Sequence, residues 1–579
     1  MAVTSLAFLM DWLRTKQKIN KYNLEDKYDY IVVGSGSAGC VVANRLSADP
    51  ETNVLLIEAG GEDTKPEIHV PLAVAALQRS DVDWKFEIES QRHACKAMKG
   101  QKCNWPRGKV VGGSSSINNM AYIRGCPADF NRWAEMGAEN WAWEDILPCF
   151  EILENNQSEP GLSVTEQSYK TPMAKAFIEA GIELGYPKTP DINGKSIFGF
   201  GDFPATIRNG ERCSSAKAFL EPIKRRNNLT ISVNTLVTKI EVVDGRATGV
   251  HVIADGKEEF IPVGKEIILS AGTIGSPQIL LLSGIGPEED LKEVGIDCKV
   301  NLPAVGRNLQ DHLALPVIAT STQGARIMLT DKYAATFSSK MKYLFQKKGM
   351  LSTNGLEAVA FLNSGMEKKY EWPDIQIILV PSYFALGIHQ FSVLNYEERY
   401  KTDLGYDIPE DERKSFEGIT LAPVLLHPKS NGFIKLSSAD PTVPPIIQPN
   451  YLSDQRDVNI LAKGLEICQK IAATEAMKPF GLKLDLPDVT DTQINKYTDE
   501  YREQFVRHIA ATIYHPTGTC RMGAADDPST VVDPKLRVKG VVGLRVADAS
   551  IMPEVTSGNT NAPSIMIGQK AATIILSET

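Results

Sequence analysis

The sequence predicts an α/β protein whose first domain is interrupted by a second and completed only at the end of the chain. Three observations predict it. An apolar run, Tyr30-Ile31-Val32-Val33, enters Gly34, Gly36 and Gly39 and continues into a breaker-free stretch, Cys40 to Leu46. A second apolar run, Val54 to Ile57, ends in Glu58, nineteen residues after Gly39. Glycine motifs then vanish between about 313 and 505, and the early style returns from Leu544 onward.

The first two observations describe strand, glycine turn, helix and strand, a Rossmann-like unit. Gly34 allows the tight turn, Gly36 lets a pyrophosphate approach the backbone, and Gly39 lets helix and strand pack closely. The amides at the helix start, with the positive end of its dipole, face the phosphates. Glu58 can accept both hydroxyls of an adenosine ribose. An ordinary βαβ unit in which Glu58 merely ends a strand is the competing reading. The context favours a dinucleotide, without separating FAD from NAD.

Composition bounds the rest. A chain of 579 residues exceeds one simple core. Its 43% apolar and 23% charged residues are ordinary for a globular protein. A net charge of −9 argues against nucleic acid or an anionic membrane surface as partner. No apolar run approaches the roughly 20 residues of a membrane helix. Leu6 to Met10 is too short for a signal-peptide core and no basic residue precedes it. It reads as a tail, or a longer leader precedes this sequence. The nine cysteines are odd in number and show no zinc spacing, so no metal site is expected. Cys95 and Cys103 bracket a polar segment and could form a local disulfide. Sequons at Asn156 and Asn228 are compatible with a secreted glycoprotein.

Further elements follow in order. Ala59 to Asp63 is a turn, and a loop-rich region reaches Trp105-Pro106-Arg107-Gly108. Gly112 to Met120 is a second small-residue cluster that exposes backbone amides. Helical patterns cover Ala128 to Met136 and Trp143 to Leu153. Leu229 to Val233, Val237 to Val243 and Ala247 to Ile253 alternate as strands, with Asp244-Gly245 and Asp255-Gly256 as hairpin turns. Lys265 to Leu269 is another strand, and Ser276 to Leu282 a helix with Pro277 in its first turn. Ile375 to Val380, Thr420 to Leu426 and Gly432 to Leu436 alternate around a helix, Asp457 to Thr474. They predict a second, α+β substrate domain on a mostly antiparallel sheet. Leu544 to Asp548 is a strand and Ser564 to Leu576 a helix. The expected division is a tail at 1–27, nucleotide-binding parts at 28–150, 206–312 and 506–579, and substrate-domain parts at 151–205 and 313–505.

Four blocks resemble the glucose–methanol–choline (GMC) oxidoreductases. They are the opening glycine loop with Glu58; Gly108 to Asn118; Gly272 to Pro277 through Ser283-Gly284-Ile285-Gly286; and Tyr514 to Gly523 with Asp548 and Gly558 to Pro563. Asp83-Trp84-Lys85 and the cysteine pair before Trp105 are most similar to animal, particularly arthropod glucose dehydrogenase-like, members. The resemblance implies FAD and oxidation of an alcohol by hydride transfer to flavin N5. It assigns Gly34, Gly36, Ser37, Ala38 and Gly39 to the pyrophosphate and Glu58 to the adenine ribose. Gly113, Ser114, Asn118, Asn119, Met120 and Ala121 would line the flavin, with Trp84 and Val111 also at the cofactor. Val237 would touch adenine, and Asp548, Ala549 and Asn561 would reach the pyrophosphate–ribityl region. Where some members carry a histidine that holds FAD covalently, this chain has Ile117, so FAD is expected to dissociate.

Alcohol oxidation needs a base, and histidine, with an ordinary pKa near 6.5, suits it. The chain has eight histidines, and residue chemistry alone ranks none. His515 precedes Pro516-Thr517-Gly518-Thr519, a loop with space for a ligand, and the resemblance makes it the general base. The resemblance pairs it with Asn559, which can hydrogen-bond but cannot take a proton. Asn561 is the alternative if the register shifts by two. The acceptor is a quinone or another non-oxygen acceptor in a dehydrogenase, or oxygen in an oxidase. A non-redox lyase or flavin-binding protein is the reading from another class. Trp372, Tyr383, Phe384 and Phe391 are candidate pocket walls, although aromatics in such a domain are more often core.

Overall fold

A computed structural model describes residues 22–23, 27–154, 161–321, 328–329, 331–334, 336–366, 372–382, 394–398, 400, 417–489 and 494–578. The first domain is built on a seven-stranded sheet. Its strands are β1 (Tyr28–Val33), β2 (Val54–Ile57), β3 (Leu229–Ser232), β4 (Thr235–Val243), β5 (Arg246–Ala254), β6 (Lys257–Leu269) and β7 (Leu544–Val546). They lie in the order β3-β2-β1-β6-β5-β4, with β7 also on β6. β1 and β2 are buried almost throughout, as expected of parallel strands covered on both faces.

β6 is longer than the expected Lys265–Leu269. Its first half pairs antiparallel with β5 as far as Pro262, and from Val263 onward it pairs parallel with β1. Pro262 has no N–H to offer and sits where β6 changes partners. The Asp244-Gly245 and Asp255-Gly256 turns join β4 to β5 and β5 to β6, with all four residues at positive φ.

Three helices close the nucleotide end. These are α1 (Gly39–Leu46), α2 (Gly272–Leu282) and α3 (Asn561–Glu578). α2 begins at Gly272, a turn earlier than expected, so Pro277 lies inside it. Proline cannot donate to the carbonyl four residues back. The Thr519 hydroxyl donates to that Thr273 carbonyl instead, at 2.6 Å. α3 packs over the glycine turn, where a Cβ on Gly568 would meet the Ala38 carbonyl oxygen at 2.5 Å.

The second domain is built on an eight-stranded sheet whose pairings are antiparallel. Its main path runs Leu482–Asp485, Val317–Ser321, Glu417–Leu425, Ile375–Val380, Ala358–Leu362 and Gly199–Asp202. Phe433–Lys435 instead forms a separate ribbon with Ile446–Gln448. Two short strands matter most for the site. Leu313–Ala314 pairs with both Val424–Leu425 and Ala511–Thr512, which sets His312 beside the segment that leads to His515.

Two local expectations are corrected. Cys95 and Cys103 are buried free thiols with their Sγ atoms 3.2 Å apart, not a disulfide. The Asn228 sequon is not supported as a glycan site, because its Nδ2 donates to the carbonyls of Ser47, Asp49 and Thr52. The Asn156 sequon and the Leu6–Met10 run lie outside the described residues.

Candidate active site

A cavity of about 730 Å³ runs between the two sheets from the glycine turn to His515. At its nucleotide end the three glycines do different work. Gly34 sits at φ +95°, where a Cβ would meet the Ser270 carbonyl oxygen at 2.5 Å. A Cβ on Gly39 would meet the Gly34 oxygen at 1.9 Å, while one on Gly36 would find nothing nearer than 3.9 Å and would project into the cavity. The buried Glu58 carboxylate accepts from Gly60 N (2.8 Å), Ser35 N (3.0 Å) and Ser35 Oγ (2.7 Å). Burial raises its pKa, and those donors pull it back down.

The second glycine cluster presses on the first. A Cβ on Gly113 would lie 2.7 Å from the Gly36 Cα. Asp548 caps α2, with Oδ2 accepting from Gly272 N at 2.9 Å and Oδ1 from Ser550 N at 2.8 Å. Ser37 Oγ donates to Asn561 Oδ1 at 2.7 Å and ties α3 to the first turn. Of the residues assigned above to the dinucleotide, all but Gly39 and Val111 line the cavity. Gly39 is a packing position. Val111 bonds Gly61 O through its N–H and Ser116 Oγ through its carbonyl, and its side chain joins the first domain's core.

Arg212 carries no motif and escaped the sequence reading. It is fully buried behind the second cluster and donates to Ile68 O, Ser115 O, Asn118 O and Asn118 Oδ1. Its Nη2 has no partner among the described residues, and burial pulls its pKa down to about 9. It fixes the loop whose other side faces the cavity.

At the far end the hydrogen bonds define a tautomer. His312 Nε2 lies 2.9 Å from the Leu426 carbonyl, which can only accept, so that nitrogen carries the proton. His312 Nδ1 is then an acceptor and takes the His515 Nδ1–H at 3.0 Å. His515 Nε2 is left unprotonated at the cavity, its lone pair accepting from Asn559 Nδ2 at 3.1 Å. Burial, then His312 and Arg107, drive the His515 pKa well below its ordinary value, and burial drives His312 down to about 4. Both rings are neutral at physiological pH. Asp311 holds the His515 main chain at 2.8 Å and accepts from Thr512 and Tyr451, with its pKa pushed up to about 6 by burial.

An unprotonated imidazole nitrogen facing a cavity that begins at a glycine turn fits a dinucleotide-dependent oxidoreductase. The family models agree. GMC oxidoreductase models match residues 28–314 and 428–568. The chain belongs to the GMC oxidoreductase family. The chain is 39% identical to a glucose dehydrogenase [FAD, quinone] of Drosophila pseudoobscura pseudoobscura, covering 95% of this chain and 87% of that one. It is 38% identical to an alcohol dehydrogenase [acceptor] of Pseudomonas putida, covering 95% and 96%. Among solved structures, pyridoxine 4-oxidase from Mesorbium loti superposes with a TM-score of 0.80 at 29% identity, covering 94% of this chain and 99% of that one.

As a GMC oxidoreductase the chain is an FAD enzyme acting on CH–OH groups, and the cavity fits that cofactor. Gly36 leaves open space at the phosphate turn, and Asn559 Oδ1 is buried without a partner among the described residues. The loop carrying Asn559 has an anchor that the sequence did not reveal. Asp129 accepts from Ser557 N (2.6 Å) and Ser557 Oγ (2.7 Å), and His427 Nε2 lies 3.0 Å from the same hydroxyl. Burial pushes Asp129 up to about 7 and His427 down to about 3. Trp372 packs on His427, with ring centres 5.4 Å apart, and belongs to a core cluster rather than to the cavity wall. Tyr383, Phe384 and Phe391 lie outside the described residues.

Proposed function

We propose that this GMC oxidoreductase is a dehydrogenase of neutral alcohols that passes electrons to a quinone or another non-oxygen acceptor. The observation that carries the reading is the unprotonated Nε2 of His515 at the cavity, its tautomer fixed by the chain from Leu426 O through His312. In this reading His515 Nε2 takes the hydroxyl proton, and Asn559 Nδ2 turns its hydrogen bond onto the substrate oxygen. FAD, when bound, would supply the hydride acceptor. Glu58 would hold its adenine ribose, and the amides of the Gly34–Ala38 turn would hold its pyrophosphate. Ile117 has no nucleophile, so FAD is held without a covalent bond.

The walls of the cavity that holds His515 favour a neutral substrate. They include Ala314, Leu356, Ile378, Val380 and Ala422. Among the described lining residues the only acids are Glu58 and Asp548, both committed at the nucleotide end. No described acid lining the cavity is therefore left to pair with a cationic substrate. The two dehydrogenase relatives support the non-oxygen acceptor, whereas the oxidase neighbour supports the second reading, peroxide formation. A panel of alcohols is tested under air, with dye reduction and peroxide assayed side by side. Peroxide at the full turnover rate would replace the acceptor reading. Absence of flavin bleaching by any alcohol under nitrogen would remove the alcohol reading itself.

A further inference from the structure

We propose that the helix Phe337–Gln346 docks this enzyme on an anionic phospholipid surface. The helix is well defined at both ends. Thr336 caps its start by accepting from Ser339 N at 3.2 Å, and Lys347 ends it at φ 53°. Its inner face is anchored by fully buried Tyr343, which joins a cluster containing Leu329, Met350 and Leu351. Its outer face is the anomaly. Phe337, Met341 and Phe345 recur at four-residue spacing and so share one side, turned away from Tyr343. Phe337 and Phe345 are each 78% exposed, more than any other large apolar side chain described.

Charge selects the occupant. Residues 332–356 contain five lysines, Lys332, Lys340, Lys342, Lys347 and Lys348, and no acid, in a chain of net charge −9. Lys347 is spent on Glu211 at 3.0 Å. Lys342 and Lys348 are exposed, and no ion pair engages them among the described residues. Exposed aromatic side chains flanked by lysines on a short amphipathic helix match the headgroup boundary of an anionic bilayer. The overall negative charge speaks against such a surface only as an average over the molecule. The site is also well placed, because Leu72 and Leu329, which pack in the same cluster as Tyr343, line the cavity. The docking stands on these observations alone. Its use, bringing the cavity to an acceptor dissolved in the bilayer, rests on the dehydrogenase reading above.

The FAD-loaded enzyme is sedimented with vesicles of phosphatidylcholine and phosphatidylglycerol at about 7:3, and with phosphatidylcholine alone. The wild type should pellet with the anionic vesicles and be released by high salt. Phe337→Ser/Phe345→Ser and Lys342→Glu/Lys348→Glu should each cut the bound fraction about tenfold. Both should keep wild-type turnover with a soluble dye, which shows that the fold and the cavity are intact. Wild-type enzyme left in the supernatant with both vesicle types overturns the proposal. So does undiminished pelleting of the serine variant, or a wild-type dimer that the serine variant converts to monomer, since the face would then bind a second copy. Vesicle docking without reduction of an embedded long-chain quinone leaves the docking standing and refutes only the acceptor reading.

Discussion

Replacing His312 tests the tautomer on which the proposed chemistry depends. In His312→Leu the His515 Nδ1–H loses its acceptor in a buried setting. A buried donor left without a partner costs about 1–3 kcal/mol. That donor cost falls on the productive tautomer, whereas the alternative places its proton on Nε2 at the cavity and leaves only an unpaired acceptor at Nδ1, the smaller penalty. At about 1.4 kcal/mol per tenfold, the productive form drops roughly 5- to 150-fold in population. Anaerobic stopped-flow bleaching of the flavin should therefore slow by the same factor while the substrate dissociation constant stays nearly constant. The pH profile supplies a second readout. His312 contributes to the lowered pKa of His515, so its loss should move the acid limb upward, although burial keeps it below 6.5. His312→Gln, which offers an acceptor oxygen, should recover part of the rate. A His312→Leu enzyme that holds FAD and bleaches at the wild-type rate would refute the argument.

Other outcomes follow from the same geometry. His515→Ala should lose on the order of 10²–10⁴ in flavin reduction while retaining FAD, and near-normal reduction would remove it as the base. Because burial depresses the His515 pKa, the base stays unprotonated as pH falls through 6.5, so kcat/KM should hold to well below that pH; an acid limb at 6.5 or above contradicts this. Gly39→Ala should unfold the nucleotide turn, since its Cβ would overlap Gly34 O, whereas Gly36→Ala should leave apoprotein Tm unchanged and weaken FAD binding; equal Tm values for the two would contradict the packing. Acid precipitation should leave the flavin in the supernatant, and flavin retained in the pellet would contradict its non-covalent attachment.

The glycine turn was legible because its constraints are local, with Gly34 and Gly39 each needed by backbone within a few ångströms. The hairpin turns were legible for the same reason. The start of α2 was not, because Pro277 is tolerated inside that helix only through the hydroxyl of Thr519, distant in sequence. Arg212, Asp129 and His312 were missed for a related reason. Each works through backbone atoms or a partner supplied by remote segments, and nothing in their immediate neighbours marks them. His515 and Asn559 were found by family pattern rather than by residue chemistry, and the fold brings their side chains within hydrogen-bonding distance of each other.

The strand order has a consequence for biosynthesis. β1 is made from residues 28–33, while β7, which completes the other flank of β6, comes only from residues 544–546. At about 5–20 residues per second, on the order of a minute separates them on the ribosome. Throughout that interval the edge of β6 is bare and α1 lacks the cover of α3, surfaces on which a nascent chain can aggregate or recruit a chaperone. The loops bearing His515 and Asn559 emerge close in time to β7. A chain stalled before residue 544 therefore lacks a finished sheet and Asn559 together, so an abandoned nascent chain is both unstable and silent.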